Sequence, residues 1–398
     1  MPSAPRTPWS PLTRARLGRR PLLHGGALAG AAALLGGGLP AAGRASAAAP
    51  APRPVAAPTG QAPGLTVLTA NPLNASSPLW ALEGTLTPND WFFIRDHFQS
   101  APQSPESWSV DVGGVVLRPQ TLSFDQLRLL PARRVVALIE CAGNTRGRFQ
   151  PPAEGTPWDN GGVSTAEWVG VPLATLLDFV GVDAGAVEVV VQGGDNAQFA
   201  RSLPMDKARD PDTLLAWAMN GQPLPDDHGA PVRLVVPGWV GVASVKWVRS
   251  IRVVSEPFEG FYQRARYIYE YPDQPNAEPQ PANWLPVKSV IARPQAGATV
   301  AAGSQVVSGF AWSGRGRIAR VEVSDDAGAN WREAQLVEPT DRWAWTMWEY
   351  VWAPQSHGDY QLWSRATDDA GNTQPAQVEW NRYGYGYNAI QDVTITVR

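Results

Sequence analysis

The only cysteine of this 398-residue chain, Cys141, comes just after a run of five apolar residues. The apolar run, residues 135–139, predicts a buried strand, and Gly143-Asn144 predicts the turn that ends it. A single cysteine excludes an intramolecular disulfide framework. It also excludes a multi-cysteine zinc or iron–sulfur site and covalent haem attachment. Because functional sites in open sheets usually lie at the carboxyl ends of strands, the thiol is well placed for chemistry.

Two interpretations of Cys141 follow from its neighbours. A lone buried cysteine usually behaves as a small, inert hydrophobic residue. Arg146 and Arg148 lie close in sequence, however, and nearby positive charge favours the thiolate, which is the form that attacks electrophiles or binds metals. The local sequence alone leaves both interpretations open.

The charge of the chain is unevenly distributed. The formal net charge is −3, but residues 1–50 carry six arginines and no acidic residue, so the remaining residues carry a net charge of −9. This acidic balance argues against a nucleic-acid partner. With 44% hydrophobic and 17% charged residues, the chain is globular and long enough for two domains with cores of their own.

Residues 1–47 have the pattern of an export signal. The pair Arg19-Arg20 precedes a weakly apolar run at 22–39, and Ala45-Ser46-Ala47 offers a small-residue cleavage site. The arginine pair predicts a twin-arginine signal, and an ordinary secretory signal is the alternative. We therefore expect an exported, periplasmic or extracytoplasmic protein, with an Ala/Pro-rich linker at 48–78.

The rest of the chain predicts an α+β fold in two domains. Leucines and valine at 173, 176, 177 and 180 have helical spacing, whereas residues 187–191 and 232–236 predict strands. After a Pro-rich linker at 276–286, short strands of period two predict a β-sandwich over 287–398. The two Asp-Asp-Ala-Gly sequences at 325–328 and 368–371 fit hairpin turns better than calcium sites.

Several motifs in a fixed order resemble the molybdenum-cofactor domain of the sulfite oxidase family. The similarity runs from about Trp80 to the C-terminus, and its motifs are at 140–144, 162–168, 218–225, 227–229, 235–238 and 245–247. The resemblance implies a molybdopterin-binding catalytic domain over 79–275 and an immunoglobulin-like dimerisation domain over 287–398. It also implies a molybdenum–molybdopterin cofactor with Cys141 as the protein's thiolate ligand to the metal.

The same resemblance implies roles for particular side chains. Arg95, Arg146 and Tyr267 match the residues that hold and orient the substrate. The residues that match the cofactor site are Phe93, Arg95, His97, Cys141, Asp195, His228, Arg233, Ser244 and Lys246. Arg233 and Lys246 would suit the cofactor phosphate as charged hydrogen-bond donors.

Two positions depart from the family pattern. Asp96 stands where the family has asparagine, and a carboxylate there opposes anion binding unless it points away or pairs with an arginine. Tyr383 stands where the family's second domain sends an arginine into the pocket. Either Arg382, one place earlier, serves instead, or the pocket has lost one positive charge.

The resemblance implies the oxidation of sulfite to sulfate by oxygen-atom transfer. No haem motif is present, so we expect the electrons to pass to an external acceptor such as a cytochrome c, and we expect a homodimer through the C-terminal domain. Two other hypotheses stay open, namely a related molybdenum oxotransferase that reduces sulfoxides or other S- or N-oxides, and a secreted binding module.

Overall fold

A computed structural model describes residues 53–54, 64–99, 102–194, 199–337 and 341–398. The predicted export signal at 1–47 and the candidate ligand Asp195 lie outside the described residues. Residues 51–398 form one compact unit. No helix in the described ranges is long and apolar enough to cross a bilayer.

The first domain is built mainly from strands, with four short helices. The helices are α1 (Phe124–Arg128), α2 (Leu173–Val180), α3 (Met205–Ala208) and α4 (Phe261–Arg264). The strands are β2 (Thr66–Ala70), β3 (Leu73–Ser76), β4 (Ile94–Arg95), β5 (Ser109–Gly114), β6 (Gln120–Ser123), β7 (Arg133–Glu140), β8 (Val163–Pro172), β9 (Glu188–Gly193), β10 (Ala200–Pro204), β11 (Leu214–Met219), β12 (Gln222–Pro223), β13 (Arg233–Val235), β14 (Val248–Val254), β15 (Ile268–Tyr269) and β16 (Gln280–Pro281). The short strand β1 (Arg53–Pro54) precedes them in the chain and pairs with a strand of the second domain.

Two five-stranded sheets organise this domain. One has the order β10-β9-β14-β5-β6, and the other has the order β12-β11-β8-β7 with β13 paired to β11. Both contain antiparallel pairs, and only β14 and β5 run parallel within them. The mixed, mainly antiparallel pairing confirms the predicted α+β class.

The periodicity of the sequence places the predicted elements correctly. All four residues of helical spacing on α2 are fully buried, so that face packs against the core. Residues 189–191 of β9 are buried on both faces, as expected for a strand in the interior of a sheet. β7 is buried from Val135 to its end, and Cys141 follows it directly, which confirms the strand-end position of the thiol.

Residues 66–76 lie in strands, although they fall within the predicted linker. β2 and β3 form an antiparallel hairpin, and β3 also pairs with β4. The predicted linker at 48–78 is therefore wrong in its last part. The polar residues Asn74 and Ser76 resemble linker composition, yet both are buried because their side chains make hydrogen bonds inside the domain, for example from Asn74 to Thr69 at 2.7 Å.

The second domain is a sandwich of two sheets. Its strands are β17 (Lys288–Arg293), β18 (Thr299–Val300), β19 (Gln305–Trp312), β20 (Ile318–Ser324), β21 (Arg332–Glu333), β22 (Gln335–Val337), β23 (Thr346–Trp352), β24 (Gly358–Asp368) and β25 (Asp392–Val397). One sheet has the order β1-β19-β23-β22 with β17 paired to β19, and the other has the order β18-β25-β24-β20-β21. Trp348, Trp352 and Leu362 lie in the core between them.

Both Asp-Asp-Ala-Gly sequences form turns, as predicted. The Asp326 carboxylate accepts hydrogen bonds from the Ser324 hydroxyl at 2.7 Å and from the Asn330 amide at 2.8 Å. The Asp368 carboxylate closes the second turn in the same way through Asn372. The carboxylates are thus used to satisfy backbone and side-chain donors of their own turns.

Candidate active site

A cavity with the Cys141 thiol on its wall lies between β4, the end of β7 and the segment that follows β13. Its empty volume, including its opening, is about 730 Å³. Nine of the residues predicted from the sequence line it: Phe93, Arg95, His97, Cys141, His228, Arg233, Ser244, Lys246 and Tyr267. The chain thus brings together side chains from six separate segments, which is the arrangement expected of a ligand site.

Two cations, the buried Arg233 and the largely buried Lys246, stand at one side of this inner cavity. Arg233 donates hydrogen bonds to the His228 carbonyl at 2.9 Å and to the Ser244 carbonyl at 3.1 Å. Burial lowers its pKa to about 10, so it stays charged at neutral pH. Lys246 donates to the Asp227 carbonyl at 2.6 Å, and burial lowers its pKa as well. Buried cations without full charge compensation favour an anionic ligand.

Asp96 pairs with a lysine, so its carboxylate is not an unpaired negative charge in the cavity. Its carboxylate is only 4% exposed and forms an ion pair with Lys246. It neither points away from the cavity nor pairs with an arginine, so neither condition proposed from the sequence holds. The pair offsets the charge of one cation, and it leaves Arg233 and Arg95 as the uncompensated charges of the inner cavity.

His97 and Tyr267 form a hydrogen-bonded pair beside the thiol. Their Nε2 and hydroxyl atoms are 2.6 Å apart. Burial, helped by Arg95 and Lys246, lowers the pKa of His97 to about 2, and burial raises the pKa of Tyr267. The imidazole is therefore neutral at pH 7 and the phenol keeps its proton.

A second, outer pocket opens beside the first and shares Arg95, His97, Cys141 and Tyr267 with it. Its remaining lining comes from both domains: Arg146, Glu154, Gly155, Thr156, Phe261, Tyr262, Arg266, Tyr383 and Tyr385. The predicted substrate residues Arg95, Arg146 and Tyr267 all lie here, and their roles stay predictions. The thiol therefore borders a cavity for a large anionic ligand and a second pocket open to solvent.

Arg146 is held rigidly at the domain boundary. Its Nε donates to the Tyr383 carbonyl at 2.8 Å, its Nη1 donates to the Thr156 carbonyl at 3.0 Å, and its guanidinium carbon lies 5.3 Å from the centre of the Tyr385 ring. A Cβ at Gly143 would approach Nη2 to 2.4 Å, so a larger residue there would displace the guanidinium from this position. The turn between Cys141 and Arg146 is therefore shaped to hold that arginine.

The structure shows which of the two neighbours, Arg382 or Tyr383, faces the outer pocket. Tyr383 lines the outer pocket, whereas the Arg382 side chain is 48% exposed and pairs with Glu270 at 3.0 Å and with Glu154 at 3.6 Å. The pocket thus lacks a cation at this position. Another residue, Arg266, lines the pocket, and the sequence analysis missed it because strand and turn patterns do not show which of two neighbouring side chains faces inward.

The residues present fit the cofactor that the resemblance implies. A buried thiol can supply one soft ligand, and among the described residues no cluster of three or more His, Cys, Asp or Glu side chains forms a metal site of its own. Arg233 and Lys246 can hold a phosphate, and the Ser244 hydroxyl, which accepts a hydrogen bond from the Val236 amide at 3.1 Å, can still donate to it.

Comparisons with known proteins agree with this site. The family model for an oxidoreductase molybdopterin binding domain matches residues 97–262, and the model for a Mo-co oxidoreductase dimerisation domain matches residues 280–398. Sulfite oxidase from Gallus gallus is 38% identical over 81% of this chain and 76% of its own length. Mitochondrial sulfite oxidase from Mus musculus is 37% identical over 84% of this chain, which spans 66% of the mouse protein.

A solved structure extends the comparison to the fold. The sulfane dehydrogenase SoxCD from Paracoccus pantotrophus has a TM-score of 0.76 and 31% identity, and the match covers 88% of this chain and 92% of that chain. The likeness therefore includes both domains. This chain belongs to the sulfite oxidase family of molybdopterin-dependent oxidoreductases.

Proposed function

We propose that this chain oxidises sulfite: sulfite and water give sulfate, two protons and two electrons. The observation that carries the proposal is that the Cys141 thiol borders both cavities at once. The inner cavity suits the anionic cofactor, and the outer pocket suits a small dianion that reaches the same point from solvent. When bound, the molybdenum–molybdopterin group supplies the oxygen-atom and electron transfer at that point.

The protein's own side chains bind and orient the substrate. Arg95 and Arg146 place positive charge on two sides of the outer pocket, and preorganised charge of this kind stabilises an oxyanion without reorganisation. Tyr267 carries its proton at neutral pH, so its hydroxyl can turn from His97 towards a substrate oxygen. The rings of Tyr383 and Tyr385 form part of the pocket wall.

We also propose the route and the location of the enzyme. The arginine pair at 19–20 supports export by the twin-arginine pathway to the periplasm, and such export of folded proteins would suit a chain that must first acquire its cofactor. The electrons would pass to a separate acceptor such as a cytochrome c. The match of residues 280–398 to a dimerisation domain supports a homodimer.

A second candidate is the oxidation of a sulfane substrate. It is favoured because the fold is similar to that of sulfane dehydrogenase, and the match covers 92% of the dehydrogenase chain. The tyrosine at 383 also favours it, because one charge fewer at this position suits a substrate less anionic than sulfite.

The decisive experiment is stopped-flow reduction of the purified protein, with molybdenum determined on the same sample. We expect sulfite to reduce the wild-type protein, and a folded Cys141→Ser variant to show little reduction by sulfite. Molybdenum-loaded protein that sulfite leaves oxidised would refute the proposal. In that case, reduction by a sulfane donor, or reoxidation of the reduced protein by dimethyl sulfoxide, would identify the alternative.

A further inference from the structure

Arg266 is a cation of the outer pocket that the predicted mechanism does not use. It follows helix α4, directly precedes Tyr267, and lines the pocket. Its guanidinium carbon lies 4.5 Å from the centre of the Tyr383 ring, a distance at which the ring face attracts a cation. Its side chain is 39% exposed, so it stands at the entrance.

The other two arginines of the pocket are each fixed by two hydrogen bonds to the protein. Arg146 donates to the carbonyls of Tyr383 and Thr156 and is only 8% exposed. Arg95 donates to the Asp96 carbonyl and to the Asn74 side chain. Both therefore contribute positive charge from fixed positions.

Arg266 differs from them in its partners. Among the residues that the structure describes, its guanidinium has no hydrogen-bond acceptor, and the Glu154 carboxylate lies 4.0 Å away. Glu154 is itself shared, since the Arg382 guanidinium lies 3.6 Å from its other oxygen. An anion that enters the pocket can therefore take the place of Glu154 without breaking a close ion pair.

The location of Arg266 coincides with the position where charge is missing. Tyr383 occupies the family position of a pocket arginine, and Arg266 stacks on that same tyrosine from the first domain. The pocket keeps three positive charges, but the third stands at its mouth. Burial raises the pKa of Tyr385, which also lines the pocket, and the charge of Arg266 is one of the influences that oppose this rise.

We propose that Arg266 is a specificity-determining residue that captures the substrate anion at the mouth of the outer pocket, with Glu154 as its displaceable counter-ion. The proposal rests on the proposed function for the identity of the anion. Because the side chain is partly exposed, its contribution is screened by salt, and it acts on capture more than on the chemical step.

The test compares the variants Arg266→Gln, Arg266→Lys and Arg264→Gln. Arg264 is the matched control, since it lies on α4, is 41% exposed, pairs with Glu259 at 2.7 Å and does not line the pocket. Steady-state sulfite kinetics are measured at about 10 mM and about 150 mM salt. Protection of each protein against thermal unfolding by sulfate gives a readout that is independent of turnover.

At low salt we expect Arg266→Gln to raise KM roughly fivefold with kcat nearly unchanged, and to weaken sulfate protection by a similar factor. The increase should shrink at high salt, Arg266→Lys should restore most of the affinity, and Arg264→Gln should behave as wild type. Glu154→Gln should act in the opposite direction and lower KM, because the competing carboxylate is gone.

Three results would overturn the proposal: a KM for Arg266→Gln equal to that of Arg264→Gln, a fall in kcat with KM unchanged, or a rise in KM that salt does not reduce. Failure of the proposed function gives a different result. In that case wild-type protein does not oxidise sulfite at all, while the comparison of sulfate protection between wild type and Arg266→Gln still decides the role of Arg266.

Discussion

His228, which is buried, and His97, which is partly buried, are neutral histidines in a cavity lined by cations. The pKa of His97 falls to about 2, and that of His228 falls to about 3. In both cases burial is the largest cause, and nearby positive charge adds to it: Arg95 and Lys246 act on His97, and Lys246 and Arg233 act on His228. Each imidazole therefore stays neutral over the physiological pH range and can accept or donate one hydrogen bond at each nitrogen.

These shifts predict a loss of stability in acid. An unfolded histidine has a pKa near 6.5, so between this value and the folded pKa the unfolded state binds more protons. Stability therefore rises with pH across this window and falls as pH drops below 6.5, by roughly 1.4 kcal/mol per pH unit for each histidine. Urea unfolding at pH 7 and pH 5 measures the loss.

Two variants separate the buried histidines from other titrating groups. His228→Gln should lose less stability than wild type between the two pH values, since one of the two groups is gone. His357→Gln, at an exposed position, should keep the wild-type difference. An equal loss in His228→Gln and wild type would show that carboxylates, not this histidine, cause the acid sensitivity.

Among the elements, β7 and the second domain meet directly behind the thiol. Glu140, the last residue of β7, accepts hydrogen bonds from the Trp312 indole at 2.8 Å, the Asn144 amide at 2.8 Å and the Lys288 ammonium at 3.3 Å. Lys288 also donates to the Thr145 hydroxyl at 2.8 Å. Two strands of the sandwich, β17 and β19, thus hold both ends of the turn that carries Cys141.

The buried pair Glu140–Lys288 predicts a strong effect of a single substitution. Lys288→Met leaves the Glu140 carboxylate buried without its cation, which should destabilise the protein by about 3 kcal/mol. Adding Glu140→Gln removes the unpaired charge, so the double variant should recover part of that loss. Urea unfolding measures both effects, and a double variant as unstable as the sum of the single variants would contradict the pairing.

Periodic elements could be predicted from the sequence, and contacts of single polar side chains could not. The predictions of helix α2 and of the strand before Cys141 were correct because the apolar residues of the helix have helical spacing and those of the strand form an unbroken run. The β2–β3 hairpin was missed because its short polar residues are buried through specific hydrogen bonds, which leave no periodic signal. Arg266 was missed for a related reason, since its importance comes from Tyr383, which is distant in sequence.

At the scale of the whole molecule, the two domains share one site. Tyr383 and Tyr385 from the second domain line the outer pocket, and the Leu138 amide of β7 donates to the Trp343 carbonyl at 2.8 Å. The second domain matches the model of a dimerisation domain, and it also takes part in the site of the first domain. It completes the pocket and supports the strand that leads to the thiol.

The charge of the whole molecule makes a prediction about the electron acceptor. Outside residues 1–50 the net charge is −9, so a basic cytochrome c should be attracted over distances that salt screens. The rate constant for reduction of such a cytochrome should fall by about tenfold between roughly 10 mM and 150 mM salt. An uncharged acceptor of similar potential is the control, and its rate should change little. A cytochrome rate that does not depend on salt would show that docking relies on short-range contacts, and the acidic surface would then have no part in recruiting the acceptor.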